Sequence, residues 1–264
     1  MKRLLVTIAW LALMVALQSH EFWLEAQKFR IKAGEELAVS FLVGENFTGE
    51  SWDIGRHRVE KIILYEKSGT KDLKAIVPAT KGMKLKVVLP NPGTKILAMQ
   101  SNPAFIELTA KKFMEYLEAD GLENVLDYRK KNGQDSSSGK ENYTRYAKLI
   151  VQVGDALDDT WKKRAGHRFE MIPDANPGAI KSGDYMGCLV LYEGRPSAHT
   201  LVKVWGHVGN KIFLQNIYSE NDGTIRFPIS ARGAWMVSAV RMEKSKMPEA
   251  DWESSWASLV FNVE

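Results

Sequence analysis

Of the side chains in this sequence, its five histidines are the best suited to hold a transition metal, and the first of them has an unusual position. His20 follows a stretch with the charge and length of a secretory leader: Lys2 and Arg3, an apolar run from Leu4 to Leu17 broken only by Thr7, then Ser19. That run is too short to span a bilayer comfortably. Cleavage after Ser19 makes His20 the first residue of the mature chain. Its α-amine and an imidazole nitrogen then form a two-nitrogen chelate for a copper, nickel or cobalt ion.

A complete site needs two or three converging donors. His207, in Val204-Trp205-Gly206-His207, is expected just past a strand end, facing a loop-lined cleft, and is the second candidate ligand. His57 sits between Arg56 and Arg58, a positive neighbourhood that disfavours a cation. The sequence holds no His-x-His, His-x-x-x-His or Cys-x-x-Cys pair, so any metal site must be assembled from distant segments.

Enzymatic signatures are missing as well. There is no Gly-x-Ser-x-Gly elbow, no phosphate-cradling glycine loop and no His-Glu-x-x-His helix. Asp158-Asp159, Glu220 and Asp222 are acids in turn contexts and are expected to be solvated. The single cysteine, Cys188, lies in the apolar run Tyr185–Leu191, where a buried, inert thiol is expected. One thiol makes no intrachain disulfide, and it lies too far from the leader to anchor a lipid.

The elements that must position these residues fall into three zones. From residue 20 to 102, short runs such as Glu36–Val43, Val59–Glu66 and Lys95–Gln100 end at turn residues, which predicts a first β-sandwich. Between 103 and 155 the period becomes helical. Thr109 caps a helix carrying Phe113, Tyr116 and Leu117 and stopped by Asp120-Gly121. Leu122 to Arg129 predicts a second helix and Glu141–Gln152 a third, with Tyr143, Ala147 and Ile150 at helical spacing. From 156 to 264 the strand pattern returns, with Asn221-Asp222-Gly223 as a tight turn. The expected fold is therefore mainly β: two immunoglobulin- or transthyretin-like sandwiches joined by a short helical insert, behind a signal peptide at 1–19.

Several of these segments resemble a bacterial exported family known as a domain of unknown function and also described as NikM-like, or as a periplasmic component of cobalt/nickel transport. They are His20–Glu25 after the leader, Phe113–Gly133, Gly139–Asp155, Asp222–Met242 and Asp251–Glu264. The resemblance implies a periplasmic protein whose second sandwich is like carboxypeptidase regulatory domains. Members often carry a histidine where this chain has Arg241, and some a His or Cys where it has Tyr146.

The net charge of +4 falls to about +2 without Lys2 and Arg3, and no basic cluster alternates with aromatics, so no nucleic-acid partner is expected. No stable membrane insertion is expected after leader cleavage either. The leading expectation is a non-enzymatic, soluble periplasmic accessory that binds a divalent transition metal (Ni, Co or Cu) through His20 and serves an envelope transporter. The alternative is a metal-independent envelope module for a protein or glycan partner, for which a few of the seven tryptophans of the mature chain would supply an exposed platform.

Overall fold

Residues 141–152, whose spacing predicts a helix, instead lie in Gly139–Val153, the longest strand among the described residues of the computed structural model. That model describes residues 21–55, 58–209 and 211–264. In chain order the strands before the helices are β1 (Glu21–Ala26), β2 (Arg30–Ile31), β3 (Glu36–Glu45), β4 (Thr48–Ser51), β5 (Val59–Glu66), β6 (Gly69–Asp72), β7 (Leu85–Val88), β8 (Gly93–Ser101) and β9 (Ala104–Leu108). Helices α1 (Ala110–Ala119) and α2 (Glu123–Lys131) follow. The remainder is β10 (Gly139–Val153), β11 (Phe169–Pro173), β12 (Tyr185–Tyr192), β13 (Arg195–Pro196), β14 (Leu201–Val208), β15 (Lys211–Tyr218), β16 (Thr224–Pro228), β17 (Gly233–Lys244) and β18 (Trp252–Val263).

The fold is mainly β and sandwich-like, as the sequence predicts. A ten-stranded sheet runs β15-β14-β17-β18-β10-β8-β5-β6, with β2 and β9 also paired to β10. β10 lies parallel to β18 and antiparallel to β8 and β9, so it joins strands from both halves of the chain. A four-stranded sheet of β1, β3, β4 and β7 covers one face, and another of β11, β12, β13 and β16 covers the other.

Side-chain parity shows this layering. Ala147, Leu149, Val151, Val153, Leu97, Met99, Trp205, Met236 and Val260 share a core with the first outer sheet. Their neighbours of opposite parity, among them Ile96, Ala98, Tyr146, Ile150, Val204, Val237 and Leu259, share a core with the second. A strand buried on both faces shows no polar/apolar alternation, which is why β10 was not legible as one. Its pleat still fixes register, because a one-residue slip would exchange the two cores.

The two helices form where the sequence places them and cover an end of the central sheet, burying Phe113, Tyr116, Leu117 and Val125 against Leu108, Val240, Met242 and Trp252. Thr109 stands at the N-cap of α1, but its side chain makes no capping hydrogen bond. Among the described residues no helix is long and apolar enough to cross a membrane.

Gly139 is where α1 presses closest on β10: a methyl group added there would overlap the ring of fully buried Phe113. Gly139→Ala is therefore expected to cost about 1–3 kcal/mol by overpacking. In calorimetry the midpoint should fall by about 2–4 °C per kcal/mol. An unchanged midpoint would mean that α1 does not pack on β10 in this way.

Candidate functional site

The described chain begins at Glu21, one residue past His20, and β1 passes against β14. Glu21 of β1 reaches Lys203 of β14, while Trp23 and Trp205 are buried in the same core. Glu21 Oε1 lies 3.4 Å from Lys203 Nζ. The same ammonium donates a 2.7 Å hydrogen bond to Asp120 Oδ1.

Asp120 reaches this point because of how α1 ends. Gly121 adopts φ +62°, a conformation open to glycine at no steric cost. The Leu122 amide then donates to Leu117 O (2.9 Å) and the Gly121 amide to Glu118 O (3.3 Å), a Schellman closure that turns the chain just after Asp120. Glu21, Asp120 and Lys203 together line a small cleft with Ser238, Val240 and Trp256.

All three groups are nearly removed from water. Burial pushes the Glu21 carboxyl up to about 7, the opposing pull of Lys203 being smaller. Burial alone would lower the Lys203 ammonium, but Asp120 and Glu21 more than offset it and hold the ammonium above its ordinary value. A second buried acid, Glu141, also stands at about 7, raised by burial. It accepts from Ser254 Oγ and, at 3.2 Å, from Tyr116 Oη. The ring of Tyr116 stacks on Trp256, with centroids 5.5 Å apart.

His207 lies inside β14, next to its last residue, rather than beyond its end. Its ring meets Phe47, 6.0 Å between centroids, and Phe47 in turn meets Trp23 at 5.5 Å. Phe47 is delivered by a tight turn in which Asn46 and Phe47 both have φ +51°, joining Glu45 of β3 to Thr48 of β4. Across from His207, Glu25 has its carboxyl raised by burial, partly offset by the histidine and Lys84. From Lys203 to His207 is four residues of strand, roughly 13 Å. The neighbourhood of Glu21 and that of His207 are thus separate.

His20 and His57 lie outside the described residues. His167 is buried against the Tyr146 ring at 5.3 Å, and burial lowers its imidazole to about 3, with Lys148 and Lys61 acting in the same direction. Among the described residues no three His, Cys, Asp or Glu side chains converge as a metal-holding group. Cys188 is buried, and burial pushes its thiol well above the ordinary range.

Arg241 and Tyr146 both stand on the face of the central sheet that meets the second outer sheet, on the strands flanking β18. Arg241 lies over the Tyr192 ring at 4.6 Å and donates to Ser197 Oγ at 3.1 Å. Among the described tryptophans, Trp23, Trp52, Trp205, Trp235 and Trp252 are at most 4% exposed, so they pack cores and form no surface platform.

No local signal joins Lys203, Asp120 and Glu141, which share one polar neighbourhood only in the folded chain. Asp120-Gly121 was legible as a helix stop, but the partner of the aspartate comes from more than eighty residues downstream.

A family model described as "Domain of unknown function (DUF4198)" matches residues 17–243. No curated protein matches the chain. Three solved structures align over most of it at low similarity. A tetra-tandem repeat in the extending region of a large adhesion protein is 8% identical, covering 93% of this chain and 50% of that one, at a TM-score of 0.22. Three N-terminal domains of the bacteriophage RB49 Highly Immunogenic Outer Capsid protein are 9% identical, covering 93% and 71%, at 0.23. Salmonella alpha-2-macroglobulin mutant Y1175G is 9% identical, covering 91% and 15%, also at 0.23. The chain thus spans half the length of the first of these.

Proposed function

The chain belongs to the DUF4198 family, a domain of unknown function, and from that premise we propose that it is an exported, non-enzymatic accessory protein that binds a divalent transition metal at a mature N-terminal His20. In this reading the leader at 1–19 is removed in the periplasm, and the protein hands nickel, cobalt or copper to an envelope transporter. The NikM-like resemblance and a carboxypeptidase regulatory-like second sandwich belong to the same reading.

One observation carries it. The residue joined to His20 puts its carboxylate beside that of Asp120 at the cleft described above, two oxygen donors within a few ångströms of one ammonium. The α-amine and imidazole of His20 would hold the ion, and a carboxylate at this cleft is the nearest further donor class. Lys203 already neutralises much of the acid charge there, so the nitrogen donors of His20 must supply most of the affinity. His207, roughly 13 Å further along β14, is not needed for this site.

Native mass spectrometry of protein purified from the periplasm, with and without Cu²⁺ or Ni²⁺, tests the proposal. The expected mass begins at His20 with one metal held, lost in His20→Ala and retained in His207→Ala. A different N-terminus, or uptake unaffected by His20→Ala, would sink it.

A further inference from the structure

β15 ends the central sheet, and among the described residues it pairs with β14 alone, through all eight of its residues. Proteins blunt exposed strand edges with charge, proline, bulges or short length, because unpaired N–H and C=O groups recruit another strand. The opposite edge of this sheet obeys that rule: β6 has four residues and carries Lys71 and Asp72. So do edges in the outer sheets, where β13 has two residues and ends in Pro196, and β16 ends in Pro228.

β15 does not. Its sequence, Lys211-Ile212-Phe213-Leu214-Gln215-Asn216-Ile217-Tyr218, has no proline, no glycine and one charge, placed at its first residue. Leu214 and Tyr218 are 42% and 49% exposed.

We propose that this edge pairs with the same edge of a second copy of the chain, antiparallel about a two-fold axis through Gln215. An axis normal to the sheet keeps each face continuous, so opposed residues must share parity, and the faces of β15 are known. Ile212 packs toward the first outer sheet, Phe213 and Ile217 toward the second. With the axis at Gln215, Phe213 meets Ile217 and Ile212 meets Tyr218, aromatic with β-branched in both cases, a pairing that stabilises antiparallel neighbours. Leu214 meets Asn216, and the two Gln215 amides meet each other.

An axis one residue earlier would set Phe213 against Gln215 and Ile212 against Asn216, losing every such pair. Charge agrees with the chosen register: Lys211 is opposed by Ser219 and stands eight residues, about 27 Å, from its own copy. No like charges face each other along the seam.

The test uses the purified full protein. Sedimentation across a concentration series should show a reversible dimer, and Gln215→Lys, which sets two ammonium groups face to face at the axis, should raise its Kd about fivefold. Gln215→Cys should cross-link to a covalent dimer under mild oxidation, since facing residues have Cβ atoms about 4.5–5.5 Å apart. Lys211→Cys should not, and buried Cys188 adds no background. A wild-type monomer at every concentration, or equal cross-linking from positions 211 and 215, overturns the proposal. The wild-type sedimentation decides it even if a variant misfolds.

Discussion

Replacing Lys203 with methionine is expected to remove about 3–5 kcal/mol of stability at pH 8, because it takes away the ammonium that two buried carboxylates share. The ammonium sits 2.7 Å from Asp120 and 3.4 Å from Glu21. Methionine matches the length of the lysine stem, so the loss reports charge more than packing. The deficit should shrink at pH 5, where Glu21, raised to about 7, carries its own proton. Urea unfolding at the two pH values checks this. An equal deficit at both would mean that Lys203 does not neutralise Glu21.

The same acids shape the stability of the unaltered protein. Glu21 and Glu141 each rise from 4.5 to about 7 on folding. Between those values the folded chain binds the extra protons, so stability falls as pH rises through the window, by about 3 kcal/mol per group when fully ionised. His167 acts in the opposite sense. Its imidazole drops from 6.5 to about 3, so the unfolded chain binds the proton and stability is lost as pH falls through that interval. From pH 6.5 to 4.5 two acids outweigh one histidine, while below 4.5 the histidine dominates. These three groups therefore place the maximum near pH 4.5–5. Glu141→Gln should flatten the limb above it.

These buried groups mark the boundary of what the sequence discloses. Half-exposed elements were readable because one face meets water: the strand at Val59–Glu66 was legible to the residue, and so was the turn at Asn221–Gly223. Helices α1 and α2 were readable from their apolar stripes and from Asp120-Gly121. β10 was not, since both its faces are buried and Tyr143, Ala147 and Ile150 also fit a helical period. β1 escaped notice for a related reason: Glu21 and Glu25 break its apolar run, yet Glu21 turns inward to Lys203 of β14 and Glu25 is buried enough to raise its carboxyl. The polar neighbourhood at Lys203 joins residues 21, 120 and 203, and only the folded sheet order brings them together. His207 was expected just past a strand end, and it lies within β14, because the strand runs on to Val208.

Lys148→Met is expected to be the other costly substitution, at about 3–5 kcal/mol, since it strands a carboxylate deep between the central and second outer sheets. Lys148 and Glu170 are 1% and 4% exposed, with Nζ to Oε2 at 3.1 Å. The ammonium also donates to Met171 O at 3.0 Å, and Glu170 accepts the amides of Ala165 and Gly166 at 3.0 and 3.1 Å. Every strong donor and acceptor of the pair is thus engaged, the condition under which a buried ion pair is tolerated. Burial drags the Lys148 ammonium below its ordinary value while Glu170 pulls it back, so the lysine alone would shed its proton more readily. Combining Lys148→Met with Glu170→Gln should recover part of the loss, because no net charge stays buried and the amide oxygen still accepts one of the two backbone donors. A double-mutant cycle in urea unfolding would give a coupling of about 2–3 kcal/mol. Simple additivity would instead show that the two residues stabilise the fold independently. Strong coupling would give β10 a reason to keep its register: a slip of one residue turns Lys148 into the opposite core, away from Glu170, and leaves both charges unpaired.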